Sequence, residues 1–246
     1  MYIYDLKSIK LNSLIIYHHI GLGDIVICNG LVNYVSNLVE KVYLVVDEKF
    51  KDQAKYLYSD NPSVEILSDK PISVNNLNSF VEKLSIEKKT EVLQIGWDNY
   101  SSNFFQVPFY KAFYKQLKLP YSYSYKYFRL PTSSQLEEKL SNHLVESYEI
   151  DFNKKIKLIH SEASDGSYEL NLRNENSIYV TKQTDLYGNI FLYRDVVKKA
   201  DEIHCINSSF VHFIDRIDTD ADLYYHNVRG SLLKLKKDWN VINYEN

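Results

Sequence analysis

Between Tyr17 and Asp24 the segment YHHIGLGD places two histidines, two of the chain's seven glycines and one acid within eight positions. An apolar run, SLIIYH, precedes it, and from Asp24 onward Ile25, Val26, Ile27, Leu31, Val32, Val35, Leu38 and Val39 recur at helical spacing. Gly21 and Gly23 would let the backbone approach a ligand closely at a strand-to-helix turn. Asp24, where the helix is expected to begin, has two possible roles. It caps free N–H groups and complements the helix dipole, or it accepts the proton of a bound hydroxyl as a general base. The dipole alone would lower its pKa. A carboxylate there also repels phosphate, so the loop suits a hydroxyl better than an anion. The spacing is not G-x-G-x-x-G, which argues against a dinucleotide fingerprint.

A second cluster lies in EIHCINSSFVHFIDRI. Asn207, Ser208 and Ser209 stand where a buried strand passes into a helix. One such residue is explained by N-capping; three in a row, with no acid among them, also make an anion site of helix N–H groups and hydroxyls. His160 closes the run KIKLIH, His226 closes DLYYH, and Arg229 follows in HNVRG. If the strands are parallel, these residues share one carboxyl edge, either as packing groups or as a cationic, donor-rich site suited to a diphosphate. The DTD at 218–220 falls in a short turn rich in aspartate and is not read as a metal site. His143 and His212 lie on helical stretches and read as surface or core residues, and His18 and His19 are expected to point apart on a strand.

The elements that must position these groups follow from the pattern. Strands are expected at 13–18, 41–47, 63–68 and 91–96, alternating with helical segments, which is the signature of βαβ units and a parallel sheet. Residues 97–131 differ. VPFYKAFYKQLKLP suits an aromatic-faced helix closed by proline, and YSYSYKYFRLP alternates as an extended segment would. This belt is either an acceptor platform or an ordinary amphipathic surface in a chain with 22 tyrosines. A helix is expected over 133–148, then a second βα series with strands at 155–162, 176–182, 201–207, 222–226 and 239–244. The expected organisation is an N-terminal domain at 1–132, a helical linker at 133–152 and a C-terminal domain at 153–246.

Bulk properties narrow the classes. The chain has 246 residues, 45% hydrophobic and 25% charged, with a net charge of -3, so nothing points to nucleic acid. Cys28 and Cys205 sit in apolar segments and are expected to be buried free thiols, consistent with a reducing compartment. No run approaches the roughly 18 apolar residues of a membrane span. A cytoplasmic protein is expected.

HIGLGDIVICNGLV and ADEIHCINSSFVHFIDRI together resemble the GT-B glycosyltransferases, in particular the heptosyltransferase-like group of polysaccharide and lipopolysaccharide biosynthesis. The resemblance covers about a third of the chain in motif-bearing segments. It implies two Rossmann-like α/β domains facing a cleft, in a compact version of that fold. Asp24 would be the base toward an acceptor hydroxyl. Ser208 and Ser209 match the donor-side segment, whereas Asn207 stands where an aspartate is expected. No basic residue clearly matches the one that steadies the donor diphosphate; Lys182, Arg173 and Arg194 are the candidates. The implied partners are a nucleotide sugar, used as substrate with no cofactor and no metal, and a saccharide or glycan acceptor. A membrane-borne acceptor would be met by peripheral contact. The competing reading is a non-catalytic two-lobed protein that binds a nucleotide or sugar. An epimerase would need the dinucleotide fingerprint that is missing.

Overall fold

A computed structural model describes residues 2–19, 21–68, 74–96, 107–132, 134–173, 175–230 and 233–244. It divides the chain into two compact units, Met1–Pro131 and Thr132–Asn246. Ile20 of the glycine loop and residues 97–106 of the aromatic middle lie outside the described residues.

In the first unit the elements run β1 (Tyr2–Ile3), β2 (Ser13–Tyr17), α1 (Leu22–Val35), β3 (Lys41–Val45), α2 (Lys51–Leu57), β4 (Val64–Leu67), α3 (Val74–Lys88), β5 (Glu91–Gln94), α4 (Phe109–Gln116) and α5 (Tyr123–Lys126). The sheet is parallel with order β1-β5-β2-β3-β4. Leu14 to Tyr17 of β2 are wholly buried, as a central strand covered on both faces requires. Leu77, Val81 and Leu84, one face of α3, pack on Ile15, Tyr17, Val45 and Val92. Helix α1 is buried along most of its length. At Gly30 a Cβ would come within 2.4 Å of the Tyr123 carbonyl oxygen, so glycine is what lets α5 lie against α1.

Helix α5 corrects the extended reading of YSYSYKYF. Its tyrosines fit period 2 and also recur at i, i+4, and the latter spacing wins. The rings of Tyr123 and Tyr127 sit 4.8 Å apart, with Tyr34 of α1 at 4.9 and 5.1 Å from them.

The second unit comprises α6 (Gln135–Ser147), β6 (Lys157–His160), a hairpin of β7 (Glu162–Ala163) and β8 (Gly166–Ser167), β9 (Ser177–Tyr179), a 3-10 turn at Ile190–Tyr193, α7 (Arg194–Lys199), β10 (Glu202–Ile206), α8 (Ser209–Ile214), β11 (Asp222–Asn227) and β12 (Asn240–Asn243). The main sheet is again parallel, with order β12-β11-β10-β6-β9. Helix α6, which spans the expected linker, packs as part of this unit. Leu140 and Leu144 are buried, and the carboxylate of Glu137, fully buried, takes two hydrogen bonds from Arg194, Nη2–Oε1 at 2.5 Å and Nε–Oε2 at 3.0 Å. Both cysteines are free and buried. Among the described residues no helix is long and apolar enough to cross a membrane.

Candidate functional site

In the first sheet the chain runs from β2 outward to β3 and β4, and β5 then pairs on the opposite side of β2. The carboxyl ends of β2 and β5 therefore flank a topological switch point, the place where open α/β sheets bind ligands. The glycine loop leaves β2 there. Gly21, not Asp24, is the N-cap of α1, and Gly23 and Asp24 follow in the first turn. The Asp24 carboxylate folds back to accept the Gly21 N–H at 3.1 Å. A Cβ on Gly21 would stand 2.7 Å from that same carboxylate oxygen, so the glycine is needed for the fold-back. Burial pushes the Asp24 carboxyl up to about 7, with the Gly21 hydrogen bond opposing it. This reverses the expectation from the dipole alone: desolvation outweighs the helix terminus.

Of the residues around the switch point, His18 and His19 stand out in the sequence, whereas Gly96, Phe113 and Gln116 are not marked there as site residues. His18 and His19 lie beyond the end of β2 instead of alternating on it. His18 is buried, with Nδ1 2.5 Å from the His19 carbonyl, and burial holds both imidazoles near about 4, hence neutral at pH 7. His19 packs edge-on against Phe113 of α4. Gly96, at φ +80, closes against this pair, since a Cβ there would meet His19 Nε2 at 2.7 Å. Gln116 clamps the end of β5, accepting the Gly96 N–H at 2.8 Å and donating to the Gln94 carbonyl at 2.7 Å. The sequence signal was a glycine closing the strand EVLQIG.

The second sheet has its own switch point, between β6 and β10. There the structure joins His160, Asn207, Ser208 and Arg229. Ser208 Oγ lies 3.2 Å from His160 Nδ1, and the His160 ring stacks on Phe210 at 4.8 Å. Arg229 donates to the Asn207 carbonyl at 2.6 Å and to Asp165 at 2.7 Å. Ser209 is the first residue of α8.

Three expectations change here. Ser208 is the N-cap by position, but its side chain makes no capping hydrogen bond and α8 has only six residues. Burial brings His160 down to about 4, so it is a neutral partner and not a cation. His226 does not join the group. The register places His160 beside Cys205 and His226 beside Ile206, and adjacent positions on a strand face opposite sides. Its ring turns instead to His204 and Tyr244. The site's cationic character rests on Arg229, which Asp165 neutralises in part. Of the three candidate diphosphate partners, Arg194 is committed to Glu137, and Lys182 and Arg173 are exposed.

No family model matches the chain, and no curated protein matches it by sequence. Among solved structures it matches the crystal structure of the glycosyl transferase family 9 from Veillonella parvula DSM 2008, at 9% identity and a TM-score of 0.58, over 96% of this chain and 88% of that one. At that identity the likeness is one of fold, two α/β units each built on a parallel sheet.

Proposed function

We propose that the protein is a glycosyltransferase that moves a sugar from a nucleotide-diphosphate donor to a saccharide or glycan hydroxyl, with Asp24 as general base. The observation that carries this reading is the Asp24 carboxyl, held at the switch point of the first sheet by one backbone N–H and brought by burial to about 7. A base is most effective when its pKa lies near the working pH. The shared fold supports the reading. In the reaction the acceptor O–H gives its proton to Asp24 as its oxygen bonds to the anomeric carbon. The bond from that carbon to the diphosphate oxygen breaks, and the diphosphate leaves with the electron pair.

On the donor side, Ser208, Ser209 and neutral His160 offer hydrogen bonds, and Arg229 offers charge once it exchanges Asp165 for phosphate. Asn207 contributes its carbonyl to orienting Arg229. Gly21 and Gly23 shape the acceptor loop. No step of this reaction calls for a cofactor, and the cytoplasm is the compartment we propose for it. The test is the melting midpoint of the full chain with UDP, GDP, ADP and CMP and their sugar forms, for wild type and Arg229→Met. A ligand that binds only the native state raises the midpoint. One nucleotide diphosphate should stabilise the wild type and stabilise Arg229→Met less. If none shifts the wild type, the transferase reading fails at its first step.

A further inference from the structure

One face of the second sheet carries a feature that the donor edge does not use. Register places Tyr179, Ile159, His204 and Tyr224 in one row and Ile206, His226 and Ile242 in another on that same face. The segment 168–172, which turns at Leu170–Leu172, lines with this face an open cavity of about 490 Å³, within the range of small-molecule sites. Its polar walls are Ser161, Tyr168, Glu169, Asn171, Tyr179 and Tyr244, completed by aliphatic side chains.

Behind this cavity a chain of polar groups runs through the sheet where aliphatic residues would ordinarily pack. His204 Nδ1 lies 3.0 Å from His226 Nε2, and His226 Nδ1 lies 2.8 Å from the Tyr244 hydroxyl. That hydroxyl also accepts the Asn171 N–H at 3.3 Å. Beyond His204, Nε2 faces the Glu202 carboxylate at 3.6 Å. Both histidines are buried, and buried polar groups are costly unless mutually satisfied. The Glu202 carboxylate facing His204 Nε2 favours the proton on that nitrogen, which sets the direction: Tyr244 donates to His226 Nδ1, and His226 Nε2–H donates to His204 Nδ1. The phenol oxygen, which takes the Asn171 N–H, keeps one acceptor position free. The cavity is thus offered a fixed hydroxyl oxygen able to accept from a sugar hydroxyl.

We propose that this cavity, between the 168–172 segment and the sheet, is a binding site for an uncharged saccharide, with Tyr244 fixed by the His204–His226 pair as its central contact. Among the described residues of the wall Glu169 is the one charged group. It accepts hydrogen bonds from hydroxyls and repels phosphate and carboxylate. Three tyrosines line the cavity, and a tyrosine ring can stack on the C–H side of a pyranose, while Asn171 and Ser161 offer hydrogen-bonding groups for its hydroxyls. His226 and His204 are positioning residues. The site does not depend on the transferase reading.

The test is ligand-observed NMR and calorimetry on the full chain with methyl glucoside, methyl galactoside, methyl N-acetylglucosaminide and glucose 1-phosphate. Wild type, Tyr244→Phe and the exposed-site variant Glu169→Gln are compared, with melting midpoints to report folding. A neutral glycoside should bind, the sugar phosphate should bind at least tenfold more weakly, and Tyr244→Phe should lose about tenfold in affinity. Glu169→Gln should narrow the gap between phosphate and neutral sugar; this variant carries the test if Tyr244→Phe folds poorly. The proposal is overturned if no glycoside binds, if the sugar phosphate binds better, or if both variants bind as wild type does. Nucleotide binding measured in parallel separates the readings: a glycoside signal without a nucleotide shift supports this site and removes the transferase.

Discussion

Replacing Asp24 with asparagine separates a base from a cap by the sign of its effect on stability. In the folded protein the carboxyl titrates at about 7, against about 3.9 in an unfolded chain. The native state therefore holds the proton more tightly than the unfolded state across that window. The Asp24 contribution to stability is greatest below about pH 4 and falls as pH rises through about 7. About three pKa units at 1.36 kcal/mol each set a ceiling of ~4 kcal/mol on the cost of keeping the ionised carboxylate in place. Asparagine keeps an oxygen for the Gly21 N–H and carries no charge, so it removes that cost. Asp24→Asn should raise stability at pH 8 by about 2 kcal/mol or more, roughly 4–8 °C in melting midpoint for a chain of this size, and should match wild type near pH 4. Transfer should fall by about 10²–10⁴, and the rise of the rate with pH through about 7 should vanish. A cap predicts the reverse: losing a negative charge at the start of α1 would cost about 0.3–1 kcal/mol. Melting curves from pH 4 to 8 with a transfer assay on the same samples decide it. Destabilisation at pH 8, or transfer unchanged, refutes the assignment of Asp24 as a base tuned by burial.

Two further substitutions probe how the elements are held. Gly30→Ala forces a Cβ into the Tyr123 carbonyl, 2.4 Å away, and should cost about 1–3 kcal/mol in chemical denaturation; a neutral result would mean that α5 does not lie against α1 as described. Arg194→Met strips the partner from the fully buried Glu137 and should cost about 3 kcal/mol or more, with much of that recovered when Glu137→Leu is added.

Much of the fold is legible because the strands are short, predominantly apolar runs. SLIIY, LIH and EIHCI are buried on both faces, and no helix-period reading competes with runs so short. Strand β1 carries no signal in the sequence, because two residues paired to β5 have no periodicity of their own. The β7–β8 hairpin is not among the expected elements either. Its SDG turn was the available signal, hidden inside a stretch whose polarity reads as loop. At Asp24 the sequence located the residue and its two roles but gave the wrong direction for its pKa. A helix dipole is a local property that sequence shows, whereas burial depends on what packs around the loop. The same holds for His19, Gly96 and Gln116, which are brought together by β5 and α4 from far along the chain.

The two edge histidines show how finely such readings divide. His160 and His226 both stand at the carboxyl edge of a parallel sheet, His160 as the last residue of β6 and His226 one before the end of β11. The sheet has a period of two, however, and a shift of one register position moves a side chain to the opposite face. His160 is paired with Cys205 and meets Ser208 and Phe210, on the helix-covered side. His226 is paired with Ile206, one position further on, and meets His204 and Tyr244 on the other. The same residue type at the same edge thus meets the Ser208 hydroxyl in one case and the Tyr244 hydroxyl in the other. What assigns each histidine its chemistry is parity along the strand, and strand ends alone do not fix it. A substitution at His226 should therefore leave nucleotide binding at the Ser208 edge intact, and coupling between the two would mean that the faces are not independent.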